Sequence, residues 1–534
     1  MQDFPQYNTR IIEPPAWTGS GSSSGIFVSS WAAFNCQELL YVMPARRGHR
    51  GEKMNFGIVR FILGWVLEFE AAFLLLPALV GVIYGEWKSS LAFLVTAVVS
   101  LLCGFLMRHR RPAQRDIYTR EGFATVALSW LVMSIFGAFP FVITGEIPNF
   151  IDALFETASG FTTTGASILP EVETLSHASL FWRSFTHWIG GMGVFVFIMA
   201  ILPLMGGGTT MNLMRAESPG PSVGKLVPRV KDTAKILYQL YVGLTVLGAI
   251  VLCACGLNLF ESLTTIFGTV GTGGFGIYND SVMSFTPLVQ NMITLFMILS
   301  GINYTTYFCL LRRQFKEAFS IEEVRWYLLI ILGSVGLITW NIHKMYPTLS
   351  ESIRHAFFQV GSIITTTGFS SADFDTWPQL SKTILVLLMF VGACAGSTGG
   401  GIKVSRFLIL FKAIRKELTT MIHPRMVKKI KVDGHTLSHE VLRSTNVFIT
   451  VYFIIFFASV LVIGLDNFGF TTNFTAVLAT LNNIGPGLEL VGPTQNFSIF
   501  SPFSKCVLIF DMLAGRLELF PMLILLMPSC WKKY

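Results

Sequence analysis

Long apolar segments alternate with short polar ones along most of the chain. The first two, at about 56–84 and 90–108, are separated by a short polar turn at 85–88. Both are long enough to cross a bilayer, which takes about 20 apolar residues. After them one pattern recurs four times: a long apolar segment, a shorter segment of mixed polarity, a glycine-containing loop and a second long apolar segment. Each shorter segment has about half the length of a span, so we expect it to enter the membrane and return on the same side.

This pattern divides the chain into a pair of transmembrane helices and four pore units. The pair occupies 54–110, and the units occupy 121–213, 233–315, 324–435 and 441–534. The predicted outer helices cover 121–143, 233–256, 324–345 and 441–465, the short helices 150–161, 259–270, 351–364 and 470–483, and the inner helices 178–205, 284–311, 379–416 and 501–528. The predicted fold is an all-α polytopic membrane protein. In it, four pseudo-symmetric repeats of outer helix, pore helix, filter loop and inner helix surround one pore.

Composition agrees with a membrane protein. Hydrophobic residues make up 52% of the chain and charged residues 13%, whereas a soluble domain carries about a quarter charged residues. The net charge of +8 comes from basic residues between apolar segments, which is typical of cytoplasmic loops and does not indicate a nucleic-acid partner. The eight cysteines form no C-x-x-C pair and lie mostly in apolar runs, which disfavours a disulfide framework or a zinc site.

The distribution of basic residues predicts the topology. Clusters of lysine and arginine at 108–120, 214–235, 312–316 and 412–431 all fall on one side when the spans are counted. That side is cytoplasmic by the positive-inside rule, so ten spanning helices place both termini inside and the four loops outside. Residues 1–53 differ from the rest, and we expect them to be a disordered or non-native extension.

The four loops are the candidate ion site. They consist of Thr162, Thr163, Thr164 and Gly165; of Gly271, Thr272, Gly273 and Gly274; of Thr365, Thr366, Thr367 and Gly368; and of Ile484, Gly485, Pro486 and Gly487. Glycine permits backbone conformations that aim successive carbonyl oxygens in one direction, and a ring of carbonyls replaces the water shell of a cation. The negative C-terminal end of each short helix also favours a cation there. The residues therefore predict a monovalent cation pore built by one chain.

An ordered set of motifs resembles the Trk/Ktr/HKT superfamily of potassium transporters, and specifically its Trk-type bacterial membrane subunit. The set comprises the four loops, the glycine-rich stretch 396–403 and the segment 512–518, and the resemblance covers about 54–534. It implies potassium uptake through a gated, channel-like pore in which K⁺ binds at the sixteen loop residues. Glycine at the end of all four loops suggests potassium; some relatives with serine in the first loop prefer sodium, and here that position is Gly165. The second and fourth loops depart from Thr-Thr-Thr-Gly, which should loosen selectivity toward Rb⁺ and Na⁺.

The same resemblance implies the setting of the protein. It suggests a bacterial inner membrane, a homodimer, no covalent cofactor and a ring of cytosolic nucleotide-binding regulatory subunits. The basic segments 214–235 and 412–435 are candidate contacts for that ring, although positive charge that only sets the topology explains them equally well.

A glycine-rich interruption of the third inner helix is the candidate gate. By the resemblance, the intramembrane gate consists of Gly396, Ser397, Thr398, Gly399, Gly400, Gly401 and Lys403. Three consecutive glycines independently disfavour a regular helix, since each costs about 1 kcal/mol relative to alanine. The alternative is a glycine kink for close helix packing. Lys403 faces the cytoplasmic vestibule or is a solvated loop lysine.

Three further charged residues have open roles. Arg516 lies within a predicted span, where the resemblance places a pore-side cation that limits ion passage; a salt bridge to Asp511 or Glu518 is the alternative. Glu156 and Glu261, in the first two short helices, either add negative potential at the pore or serve as hydrogen-bonding caps.

Other functional classes fit less well. Residues 271–276 match G-x-G-x-x-G, but no strand precedes them as a dinucleotide site requires. No set of nucleophile, base and acid stands out, so we do not expect an enzyme. An alternating-access cation/proton symporter remains the alternative, although its repeats are commonly inverted and these are parallel. A receptor or structural protein would not need four such loops.

Overall fold

The computed structural model describes residues 54–110, 112, 118–193, 230–426 and 429–531. The predicted extension 1–53 lies outside the described residues. In chain order the helices are α1 (Phe56–Ile83), α2 (Trp87–His109), α3 (Thr119–Thr144), α4 (Phe150–Phe161), α5 (His177–Met192), α6 (Val230–Ala254), α7 (Leu259–Gly271), α8 (Pro287–Ser300), α9 (Tyr304–Leu311), α10 (Phe315–Ser320), α11 (Glu322–Ile342), α12 (Leu349–Ile364), α13 (Gln379–Val391), α14 (Val404–Ile422), α15 (His439–Ile463), α16 (Phe470–Leu481), α17 (Pro502–Arg516), α18 (Phe520–Leu526) and α19 (Pro528–Trp531). A small antiparallel hairpin, β1 (Lys431–Val432) and β2 (His435–Thr436), lies between α14 and α15.

Several helices have the length and composition of membrane spans. Among the described residues, α1, α2, α3, α6, α11 and α15 qualify, and α8 with α9 adds a seventh if that pair, bent by 93°, is one span. Their outward faces carry exposed large apolar side chains such as Ile83, Leu106, Leu332 and Leu461. Lipid tails suit such faces better than water does. The prediction of an all-α polytopic membrane protein is therefore confirmed.

The predicted inner helices are less continuous than their apolar composition suggested. The second, expected over 284–311, ends at Ser300 and resumes at Tyr304; the fourth, expected over 501–528, ends at Arg516 and resumes at Phe520. Those two predictions of continuous helices are wrong. The third is broken between Val391 and Val404, in the region where its glycines predicted a break. The first is described only to Met192, and the rest of 178–205 lies outside the described residues.

The four short helices α4, α7, α12 and α16 form a ring with the inner helices. Each packs against the inner helix of its own unit and against that of the preceding unit: α4 against α5 and α17, α7 against α8 and α5, α12 against α13 and α8, and α16 against α17 and α13. Side chains of Asn149, Asn258 and Thr348 cap the first three at their N-termini. The loops that follow the C-terminal ends of the four short helices contact one another.

Candidate functional site

The four loops share one backbone conformation, which we describe by numbering their residues 1 to 4. At position 2, Thr163, Thr272, Thr366 and Asn483 all have φ of 55–56°. In each loop the amide of position 2 donates to the carbonyl three residues earlier, and the amide of position 3 donates to the one five residues earlier. Position 4 is a glycine with positive φ in each case, namely Gly165, Gly274, Gly368 and Gly485. The loops therefore end their short helices in the same way.

This conformation corrects the predicted register of the fourth loop. The sequence motif suggested Ile484 to Gly487, whereas the repeated hydrogen bonds and φ angles assign positions 1 to 4 to Asn482, Asn483, Ile484 and Gly485. Pro486 and Gly487 follow the loop, and the amide of Gly487 donates to Val491 O at 2.6 Å. The prediction was wrong because it aligned Gly487, and not Gly485, with the last glycine of the other three loops. Asn tolerates the left-handed conformation, so Asn483 fits position 2, where the other three loops have a threonine.

The loops contact one another in a closed ring. A Cβ atom built on Gly165 would lie 2.0 Å from Gly273 O, one on Gly274 2.0 Å from Thr367 O, one on Gly368 2.0 Å from Ile484 O, and one on Gly485 2.8 Å from Thr164 O. Each position-4 glycine thus faces the position-3 carbonyl of the next loop. The same four glycines line one cavity of about 110 Å³. We name these four position-3 carbonyls and four position-4 glycines the glycine ring.

The corrected register leads to a testable difference between Gly485 and Gly487. Gly485→Ala would place a side chain at φ 100°, against Thr164 O, and we expect it to lower uptake of radioactive rubidium into liposomes by about tenfold. Gly487→Ala meets the Thr475 side chain outside the ring, so it should leave the preference for Rb⁺ over Na⁺ unchanged. If Gly487→Ala loses the preference for Rb⁺ over Na⁺ and Gly485→Ala keeps it, the predicted register of Ile484 to Gly487 is right.

Side chains behind the ring hold the loops in place. His187 on α5, which the sequence did not single out, places Nδ1 2.8 Å from Gly160 O and accepts from Phe275 N at Nε2 over 3.2 Å. It therefore braces the end of α4 and the residue after the second loop. The side-chain amide of Asn483 donates to Thr164 Oγ1 at 2.9 Å, which joins the fourth loop to the first. A buried histidine in an apolar helix gives no sequence signal of this role, because one of its two partners, Phe275, belongs to another unit.

The structure assigns hydrogen-bonding roles to Glu156 and Glu261. Glu156 is buried, pairs with Arg183 Nε at 2.8 Å and accepts from Ile168 N at 2.9 Å, so it anchors the chain that leaves the first loop. Glu261 forms a capping box with Asn258 at the start of α7. It also accepts a 2.8 Å hydrogen bond from Tyr278 Oη, which raises the pKa of Tyr278 to about 12. Both carboxylates stabilise the scaffold around the ring.

A non-helical stretch of twelve residues, 392–403, joins α13 to α14, and we name it the intramembrane segment. It contains all seven predicted gate residues. Gly400 N donates to Thr366 Oγ1 at 2.6 Å, and a Cβ on Gly400 would lie 2.6 Å from Asn482 O. The segment therefore lies directly against positions 1 and 2 of the third and fourth loops, on the side of the glycine ring opposite its cavity. Glycine is needed here because the backbones approach too closely for a side chain.

The intramembrane segment is also bonded to the break in the second inner helix. Tyr304 N donates to Gly396 O at 3.0 Å, Cys394 N donates to Gly301 O at 3.1 Å, and Thr398 Oγ1 donates to Ser300 O at 3.2 Å. These tertiary hydrogen bonds satisfy the groups that the broken helix exposes. They give the physical reason why the apolar pattern of 284–311 did not reveal the break.

Two positively charged side chains donate hydrogen bonds to carbonyls of the intramembrane segment. Lys403 is buried and donates to Gly399 O, which excludes a solvated loop lysine. Arg516 donates to Thr398 O at 2.9 Å and to the carbonyls of Gly190 and Gly191 at the end of α5.

The acids near Arg516 in sequence have other close partners. Glu518 pairs with Arg406, and Asp511 accepts from Ser459. Arg516 therefore ties the intramembrane segment to the first inner helix.

The arrangement suits the transfer of a dehydrated cation. Backbone carbonyls from four loops converge, glycines leave no side chain between them, and the negative ends of four short helices point toward the same place. These features define a polytopic membrane protein of the kind that builds a cation path from re-entrant loops of one chain. The chain belongs to the TrkH family of cation transport proteins, whose family model matches residues 89–533.

Individual relatives match over nearly the whole chain. The Trk system potassium uptake protein TrkH of Salmonella typhimurium is 39% identical over 492 residues, covering 90% of this chain and 100% of that protein. TrkG of Escherichia coli K12 is 34% identical and covers 89% and 98%, respectively. The crystal structure of the potassium transporter TrkH from Vibrio parahaemolyticus matches with a TM-score of 0.81 at 33% identity, covering 90% of this chain and 100% of that one. The expected family membership is confirmed.

Proposed function

We propose that this protein takes up potassium across the bacterial cytoplasmic membrane through a gated, channel-like pore. The glycine ring is the observation that carries the proposal, because converging carbonyls with no intervening side chain match the needs of a dehydrated K⁺. The names of the relatives, potassium uptake proteins and a potassium transporter, support potassium as the ion. The proposed ligand is K⁺ as the transported ion, with no covalent cofactor and no catalysis.

We further propose that the intramembrane segment is the gate. Its contacts with Thr366 and Asn482 support this, since an ion leaving the ring on that side would meet the segment. Lys403 and Arg516 add positive charge beside it and oppose the passage of cations. Opening therefore requires the segment to move away from the loops.

A flux measurement distinguishes the channel from the alternative, an alternating-access cation/proton symporter. When liposomes that contain the purified protein are loaded with K⁺, the outward K⁺ gradient should drive the uptake of external radioactive rubidium. External K⁺ should compete more strongly than Na⁺. If a pH gradient alone drives rubidium uptake and the outward K⁺ gradient does not, the protein is the symporter and not the channel.

The assembly is also a proposal. We propose a homodimer with both termini in the cytoplasm and a ring of cytosolic nucleotide-binding subunits bound to the basic segments 214–235 and 412–435. Exposed Arg415, Arg425, Lys429 and Lys431 support the second contact. Residues 214–229 of the first lie outside the described residues.

A further inference from the structure

A buried carboxylate outside the glycine ring joins the two ends of the intramembrane segment. Glu323 lies in the first turn of α11 and is 6% exposed. Its Oε1 atom accepts hydrogen bonds from Ala395 N at 2.6 Å and from Ser405 N at 3.1 Å. One oxygen atom therefore binds the chain near both ends of this segment.

Both hydrogen bonds are made by a buried acceptor, so the loss of either partner is costly. A carboxylate, when it is ionised, roughly doubles the strength of a hydrogen bond that it accepts from a backbone amide. Ser405 lies in the first turn of α14, where amides lack partners within the helix and the helix dipole favours an anion. Glu323 thus stabilises the start of α14 and the path of the intramembrane segment together.

The residue beside Glu323 connects the same helix end to the exposed hairpin. Glu322 pairs with Lys412 on α14, and its amide donates to Asp433 Oδ1, in the turn between β1 and β2, at 2.7 Å. Lys412 also donates to Lys431 O at 2.7 Å. The start of α11 is therefore bonded on one side to the hairpin and on the other to the intramembrane segment.

We propose that Glu323 is a positioning residue that holds the intramembrane segment in its blocking position. The proposal deepens the proposed gate and rests on it. Loss of the carboxylate releases both ends of the segment at once, which shifts the population toward conformations in which it lies away from the loops. Ion selectivity stays the same, because the hydrogen bonds of Glu323 reach the segment and α14 and not the glycine ring.

The test compares rubidium flux in liposomes for the full-length wild type, Glu323→Met and Glu323→Gln. Glu323→Met removes the acceptor and should raise flux by roughly tenfold. Glu323→Gln keeps a neutral acceptor and should raise it by roughly threefold. Glu440→Met is the matched control, since Glu440 is an exposed acid in the first turn of the fourth outer helix, and its flux should equal that of wild type. The preference for Rb⁺ over Na⁺ should not change in any of them.

A deletion of Gly396–Gly401 separates this proposal from the gate itself. In the deletion background, Glu323→Met should add no further flux, because the part of the segment that lies against the loops is gone. If the deletion raises flux while Glu323→Met and Glu323→Gln stay at the wild-type level, Glu323 does not position the segment, and the gate still stands. If the deletion itself fails to raise flux, the gate is wrong. Should Glu323→Met fail to fold, wild-type flux in Glu323→Gln suffices to overturn the proposal.

Discussion

Gly368→Ser should lower rubidium uptake, and the discrimination against Na⁺, by about tenfold or more. Gly368 has φ of 86°, a conformation that costs a serine about 1–3 kcal/mol. Its new Cβ would also lie 2.0 Å from Ile484 O, so the position-3 carbonyl of the fourth loop must move. The displaced carbonyl oxygen then lies at a different distance from K⁺ than the other three, so the ring no longer matches the water shell that it replaces.

The control for this prediction is a serine on a glycine that has open space. Gly333 lies on α11, where a built Cβ would meet no atom within 4 Å apart from the neighbouring backbone of its own helix, so Gly333→Ser should conduct and select as the wild type does. Both variants are measured in liposomes by rubidium uptake with K⁺ or Na⁺ as competitor. Wild-type selectivity in a folded Gly368→Ser protein would mean that the glycine ring is not the selective site.

Deletion of Gly396–Gly401 should raise the flux by about tenfold or more, the size expected when a mostly closed pore becomes mostly open. The deletion removes the amide that binds Thr366 Oγ1, the Gly399 carbonyl that holds Lys403 and the Thr398 carbonyl, which is one of the three that Arg516 binds. The path on that side of the loops then loses its obstruction, while Arg516 keeps its hydrogen bonds to the carbonyls of Gly190 and Gly191.

Selectivity serves as the internal control for the deletion. The glycine ring keeps its own contacts, so Rb⁺ should still be preferred over Na⁺ while the flux rises. Unchanged or reduced flux in a protein that still elutes as a folded species would show that the intramembrane segment supports the loops and does not gate them. A rise in flux with lost selectivity would show that it does both.

The residue pattern predicted most of what depends on composition and local conformation. Apolar length predicted membrane spans, because a bilayer demands about 20 apolar residues whatever the fold around them. The recurring loops predicted re-entrant segments, and glycines predicted a break in the third inner helix, since glycine weakens a helix irrespective of its neighbours. The motifs also indicated the family, which the matches over 89–533 confirm.

Other features depend on contacts between units that are distant in sequence. The register of the fourth loop follows from the contact of Gly485 with Thr164 O, and the breaks at 301–303 and 517–519 accompany tertiary partners such as Gly396 and Arg406. Nothing in the sequence around Glu323 or His187 distinguishes them from other residues of their helices. The sequence alone determined which segments are long and apolar enough to span a membrane and where the backbone is free to bend. Only the tertiary structure decided which carbonyls and charges meet, because a hydrogen bond depends on distance in space and not on position along the chain.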